Sequence, residues 1–105
     1  MLENKFQSEL IVELKELFPG CIVLKNDANY IQGIPDLLIL WRKKWAALEC
    51  KKSPDEPYRP NQEYYISKMN NMSFCQVIYP ENKEAVLLEV QRAFGTKRSS
   101  RSVRS

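Results

Sequence analysis

The stretch Gly33-Ile34-Pro35-Asp36-Leu37-Leu38-Ile39-Leu40-Trp41-Arg42-Lys43-Lys44-Trp45-Ala46-Ala47-Leu48-Glu49-Cys50-Lys51-Lys52 decides the fold. After its leading aspartate, residues 36–41 are apolar on both faces, which predicts a strand inside a sheet rather than at its edge. Arg42-Lys43-Lys44 reads as a basic turn, and residues 45–51 return as a further strand. The short spacing makes the pair a hairpin. Side chains alternate along a strand, so Glu49 and Lys51 point one way while Leu48, Cys50 and Lys52 point the other. With the turn near Lys43, Asp36 falls close to opposite Glu49. Like charges facing each other across a ladder destabilise it, and a divalent cation offsets that cost directly. Carboxylate oxygens suit Mg²⁺, with Mn²⁺ as a substitute. Such a cation lowers the pKa of a water and stabilises charge growing on a phosphate.

Outward from the hairpin, the other elements follow from periodicity. Phe6, Leu10, Leu14 and Leu17 recur at helical spacing over residues 3–18, and Pro19-Gly20 ends the pattern. At 100° per residue Glu3 falls near the centre of that apolar stripe with Gln7 beside it. Glu9, Glu13 and Glu16 fall at its edge or off it. Residues 21–24 read as a strand and residues 25–33 as a polar loop. Residues 53–58, with two prolines, form a second loop. Pro60 stands where a helix begins, and residues 60–72 have helical character. Residues 74–79 read as a fourth strand. Residues 81–94 read as a last helix, with Ala85, Val86 and Leu88 packing inward and Gly95 as its stop. The fold class expected is α/β: an αβββαβ core with one extra C-terminal helix around a mixed four-stranded sheet. Residues 1–94 make one domain, and residues 95–105 a flexible basic tail.

Composition sets limits on function. With no histidine in 105 residues, Ser-His-Asp and Cys-His nucleophilic machinery is excluded, and acid–base chemistry falls to Asp, Glu, Lys, Tyr or a water on a metal. Three well-separated cysteines, Cys21, Cys50 and Cys75, with no Cys-x-x-Cys, argue against a zinc site or a disulfide framework and for a reducing cytoplasm. Nothing points to an organic cofactor. There is no apolar run long enough to span a membrane, and the charges at Glu3, Lys5 and Glu9 do not read as a signal peptide. The formal charge of +3 is concentrated in Lys97, Arg98, Arg101 and Arg104; without those four, 12 bases face 13 acids. A basic tail of this kind binds nucleic acid or another polyanion, or is simply solvated.

The order Gly33-Ile34-Pro35-Asp36, twelve residues, then Glu49-Cys50-Lys51 resembles the PD-(D/E)xK nuclease superfamily, whose core is restriction-endonuclease-like and which hydrolyses phosphodiesters with Mg²⁺. Within it the chain is similar to the VRR-NUC branch, which includes small phage proteins and is related to Holliday-junction resolvases. The resemblance covers about residues 3–79 and extends to Glu3, to the Gly-x-Pro-Asp turn and to Gln62 in Arg59-Pro60-Asn61-Gln62. It implies metal ligation by Glu3, Asp36, Glu49 and the backbone carbonyl of Cys50. It further implies a catalytic Lys51 and a supporting role for Gln62. Cys50 departs from the small or branched apolar residue usual between the acid and the lysine, and still packs as a small hydrophobe.

The cations Lys25, Arg42, Lys43, Lys44, Lys52 and Arg59 are candidates for phosphate contacts. A core this small carries no separate sequence-reading domain, which favours recognition of branched DNA by shape. Symmetric cutting of a four-way junction needs two active sites and hence a homodimer. The setting expected is the cytoplasm, that of a bacterial host for a phage-encoded protein. Two alternatives stay open: a flap or nicking nuclease within a replication or repair assembly, and a catalytically inactive DNA-binding module.

Overall fold

The first apolar stripe forms helix α1, Glu3–Leu17. Phe6, Leu10 and Leu14 are spaced four apart, one turn each, and are buried with Phe18 just past the helix end. The computed structural model describes residues 3–96, and of Glu3 the backbone only. The basic segment from Lys97 onward therefore lies outside the described residues. Pro19-Gly20 turns the chain, with Gly20 at φ +86°, and the Pro19 carbonyl accepts a hydrogen bond from Trp41 Nε1 at 2.9 Å.

Three strands follow: β1 (Ile22–Lys25), β2 (Leu37–Trp41) and β3 (Lys44–Cys50). Helix α2 (Gln62–Met72) then crosses to β4 (Phe74–Ile78), and a 3₁₀ turn (Pro80–Asn82) leads into α3 (Lys83–Ala93). The sheet order is β1-β2-β3-β4, antiparallel except for the parallel β3–β4 pair. The molecule is thus an α/β domain with a mixed four-stranded sheet and three helices. β2 lies inside the sheet, as its two apolar faces predict. Among the described residues no helix is long and apolar enough to cross a membrane.

Alternation sorts the two sheet faces. Leu37, Ile39, Trp41, Ala46, Leu48 and Cys50 enter one hydrophobic core with α1 and α3. Phe18 seals its corner: its ring lies 5.3 Å from that of Trp41 and 4.9 Å from that of Phe94. Ala47 and Cys75 are buried outside that cluster, on the α2 side. Across this second face the rungs Ile22–Leu40–Trp45 and Leu24–Leu38–Ala47 run side by side. Ile22 and Leu24 remain 55% and 42% exposed.

Three sequence expectations shift. In α3 the inward residues are Val86, Leu87, Val90 and Gln91, whereas Ala85 is exposed and Leu88 half-buried. Helix α2 begins at Gln62 rather than Pro60, because Asn61 adopts the left-handed region at φ 71°. Lys44 belongs to the ladder, pairing with Trp41, so the turn is the dipeptide Arg42-Lys43 with Arg42 at φ 58°.

Candidate active site

The hairpin register pairs Leu37 with Leu48. One residue outward Asp36 meets Glu49, and the Asp36 N–H donates to Glu49 Oε1 at 3.2 Å. The Cys50 N–H donates to Asp36 Oδ2 at 2.9 Å. Two carboxylates are thereby fixed on one rung at the open end of the hairpin, Glu49 only 3% exposed. Asn26 secures the approach to this rung. Its Nδ2 donates to the Pro35 carbonyl and its N–H to the Asp36 carbonyl, both at 2.8 Å.

Lys51 follows directly and is 2% exposed. Its ammonium donates to Gln62 Oε1 at 2.7 Å and to the Pro57 carbonyl at 3.2 Å, and lies 3.9 Å from Glu49 Oε2. The same Gln62 donates from Nε2 to Glu49 Oε2 at 2.9 Å. Gln62 Oε1 also accepts the Arg59 N–H at 2.7 Å. One amide therefore orients both the acid and the base of Glu49-Cys50-Lys51. Its own position depends on Gly33. At φ +90° a Cβ there would come within 2.7 Å of Asn61 backbone and side chain and 2.8 Å of the Pro60 carbonyl. The Gly-x-Pro-Asp loop and the start of α2 pack backbone against backbone.

The residues singled out from sequence separate into two groups. Asp36, Glu49, Cys50, Lys51 and Gln62 converge. Arg59 adjoins them through its N–H to Gln62, and with Lys52 it lines a neighbouring open cleft of about 700 Å³ that also holds Asn4 and Glu56. Lys25 is exposed one rung from Asp36, paired with Leu37. Arg42, Lys43 and Lys44 are exposed at the opposite end of the hairpin, where an antiparallel turn must lie relative to the open strand ends. Roughly five residues of strand, about 17 Å, separate them from the carboxylates. Arg42 instead stacks its guanidinium 4.0 Å over the Trp41 ring. The Glu3 side chain lies outside the described residues. Sequence reasoning passed over Asn26, Pro57 and Glu56, the last of which accepts the Lys52 N–H at 2.9 Å and faces Lys51 at 3.8 Å. An Asx residue in a polar loop was the only signal for Asn26. No local pattern marked the other two.

Among the described residues no group of three or more His, Cys, Asp or Glu side chains is arranged to hold a metal ion. The pair Asp36 and Glu49 offers only oxygen donors. That donor set fits Mg²⁺, which binds through one or two carboxylates and keeps several waters, and does not fit a four-ligand zinc site.

Burial pushes the Asp36 carboxyl above its ordinary value of 3.8, against the pull of the Cys50 N–H and the charges of Lys51 and Arg59. A raised folded-state value favours the fold while the group is neutral, and that benefit is lost as pH rises through the folded value. At neutral pH the ionised carboxylate therefore works against the apo fold. Asp36→Asn is expected to raise Tm in EDTA at about pH 7, with the gain shrinking as pH falls toward the unfolded value. Mg²⁺ should then stabilise the wild type and not the variant. Thermal melts across pH, with and without Mg²⁺, check this; a Tm lowered at neutral pH would refute it.

Comparison with protein-family models, with curated proteins and with solved structures finds no match to this chain.

Proposed function

We propose that the chain is a Mg²⁺-dependent DNA endonuclease with a restriction-endonuclease-like core, acting on branched DNA as a homodimeric, junction-resolving enzyme. The observation that carries this reading is the single rung Asp36–Glu49 tied through Gln62 to the buried Lys51. A structural ion pair would need one acid and one base, in water or at a rim. Buried Glu49 and half-buried Asp36 share one rung beside Lys51, a cluster of carboxylate oxygens that a divalent cation would join.

Asp36 and Glu49 would hold the ion, with the Cys50 carbonyl and Glu3 as the further donors the sequence pattern implies. When bound, Mg²⁺ supplies charge against the phosphate and makes a water easier to deprotonate. Lys51 keeps two of its three N–H groups on Gln62 and Pro57. Its charge, held beside Glu49, would offset negative charge developing on the phosphate. Lys52 and Arg59 receive neighbouring phosphates at the rim.

The apolar sheet face supports the homodimer. Ile22, Leu24, Leu38, Leu40 and Trp45 form a continuous apolar surface ending at the carboxylate rung. An exposed patch of this kind marks an interaction site, and a second copy on it would place two active sites in one particle. Labelled four-way junctions, flaps, nicked and linear duplexes incubated with Mg²⁺ or EDTA test the reading. Junctions cut in symmetric pairs, and no cutting in EDTA, are the expected result. Preferred cutting of flaps or nicks would assign the enzyme to the alternative substrate. A monomer in sedimentation at micromolar concentration would refute junction resolution, and cleavage in EDTA would refute the chemistry.

A further inference from the structure

Lys51 is held by more than its immediate partners in the proposed mechanism. Residues 52–58 curl back over its ammonium, and one carboxylate closes the curl. Glu56 Oε1 accepts the Lys52 N–H at 2.9 Å while Oε2 stands 3.8 Å from Lys51 Nζ. The Glu56 N–H in turn donates to the Ser53 carbonyl at 3.3 Å. The next residue, Pro57, puts its carbonyl on Lys51 Nζ at 3.2 Å, and the Tyr58 ring follows at 5.7 Å. Pro54 and Pro57 limit the backbone freedom of the segment. Glu56 is half-buried, with a side chain 13% exposed.

The charges explain why a carboxylate serves here. Glu49 and Glu56 flank Lys51 at nearly equal distances, 3.9 and 3.8 Å. Glu49 belongs to the pair that faces the cation. If its charge were committed to a cation, the buried ammonium of Lys51 would need a further acid beside it. Only a second acid outside the metal pair balances it. Glu56 lies outside the Asp36–Glu49 rung, on the 52–58 loop, with one oxygen on the Lys52 N–H and the other facing Lys51.

We propose that Glu56 is a positioning residue: it latches the 52–58 loop over Lys51 and supplies the counter-charge that lets this lysine and a divalent cation occupy the same site. The inference rests on the nuclease reading for its purpose and not for its test. The loop and the lysine can be probed without catalysis.

Glu56→Gln, Glu56→Ala and, as a charge control in the same exposed loop, Asp55→Asn are made in the full chain. An amine-acylating reagent is applied and each lysine's labelling rate is read by mass spectrometry. In the wild type Lys51 should label at least about tenfold more slowly than exposed Lys68, as a sequestered amine does. Both Glu56 variants should lose most of that protection, and Asp55→Asn should keep it. Buried Cys75, probed in parallel with a thiol-alkylating reagent, reports global unfolding, because in the folded protein it is inaccessible. Calorimetric titration with Mg²⁺ should show weaker binding in Glu56→Gln, and junction cleavage should fall in kcat with KM nearly unchanged. Lys51 protection that is identical in all three variants with Cys75 protected would overturn the proposal. So would equal Mg²⁺ affinity in wild type and Glu56→Gln. A wild type that binds Mg²⁺ and shields Lys51 but cuts no DNA would overturn the nuclease reading and leave the latch standing.

Discussion

Lys51→Ala is expected to slow Mg²⁺-dependent junction cleavage by about a thousandfold, the scale on which removing one preorganised donor to a developing oxyanion reduces kcat. DNA affinity should change by no more than about twofold, because the affinity comes from exposed phosphate contacts and Lys51 is 2% exposed. The substitution has a folding side. It removes the donor from the Pro57 carbonyl and the nearest cation from Glu49 and Glu56. Pro57 is exposed, and Glu49 and Glu56 keep other donors, so the folding cost should stay within about 1–3 kcal/mol in all. Lys51→Met keeps the apolar stem and separates lost packing from lost charge. Single-turnover cleavage with circular dichroism on both variants reads the two effects. Retention of activity within about tenfold in a folded variant would remove Lys51 from the mechanism.

Gly33→Ala should be the most damaging single methyl addition available at the site. The residue is buried at φ +90°, and its new Cβ would meet Asn61 and Pro60 atoms at 2.7–2.8 Å. Both neighbours are backbone-anchored at the start of α2, so neither can swing aside. A non-glycine residue held in a sparsely populated backbone region costs about 1–3 kcal/mol before any clash. A clash repacked by backbone shift adds about as much again. For a domain of this size each kcal/mol lowers Tm by roughly 4–8 °C, so a fall of more than about 10 °C is expected. Displacing Asn61 displaces Gln62, so Lys51 and Glu49 lose their shared partner even in molecules that fold. Urea or thermal melts give the first quantity. Cleavage by the surviving folded fraction gives the second. A variant with wild-type Tm would show that the loop and helix can separate without consequence.

How much of this was legible beforehand differs by residue. Asp36 and Glu49 could be set opposite each other from hairpin length alone, since a ladder has a period of two and a short turn fixes register. Glu49, Lys51 and Cys50 could be sorted by face for the same reason. Gln62 was visible only through a resemblance in pattern, and no local rule foretold that its two amide ends would divide between Lys51 and Glu49. Glu56 was illegible. Its role comes from a loop that doubles back on the lysine strand, and loop geometry is set by what the loop packs on. The inward face of α3 was read only in part: Val86 faces in as expected, while Leu87, Val90 and Gln91 rather than Ala85 and Leu88 complete it, and a 3₁₀ turn precedes the helix. That turn is stabilised by Asn82, which accepts the Tyr79 N–H and donates to the Val77 carbonyl.

The Arg42-Lys43 turn carries the same lesson in reverse. Three adjacent cations are candidates for phosphate contacts, and the hairpin places them exposed at the far end from Asp36 and Glu49, so any phosphates they meet lie away from the carboxylates. Local chemistry says what a group can bind, and position decides whether it is near the event.

The sequence by itself determined the order and type of the elements, the inner position of β2, the α1 core stripe and the pairing of Asp36 with Glu49. Each rests on a periodicity or a short covalent spacing, which a chain carries with it into any fold. Only the tertiary structure decided that Gln62 and Glu56 enclose Lys51, that Asn26 and Gly33 hold the Pro35-Asp36 turn, and that an apolar sheet face stays open beside the carboxylates. Those contacts join segments separated by long, irregular connections, whose paths are set by packing rather than by any repeat along the chain.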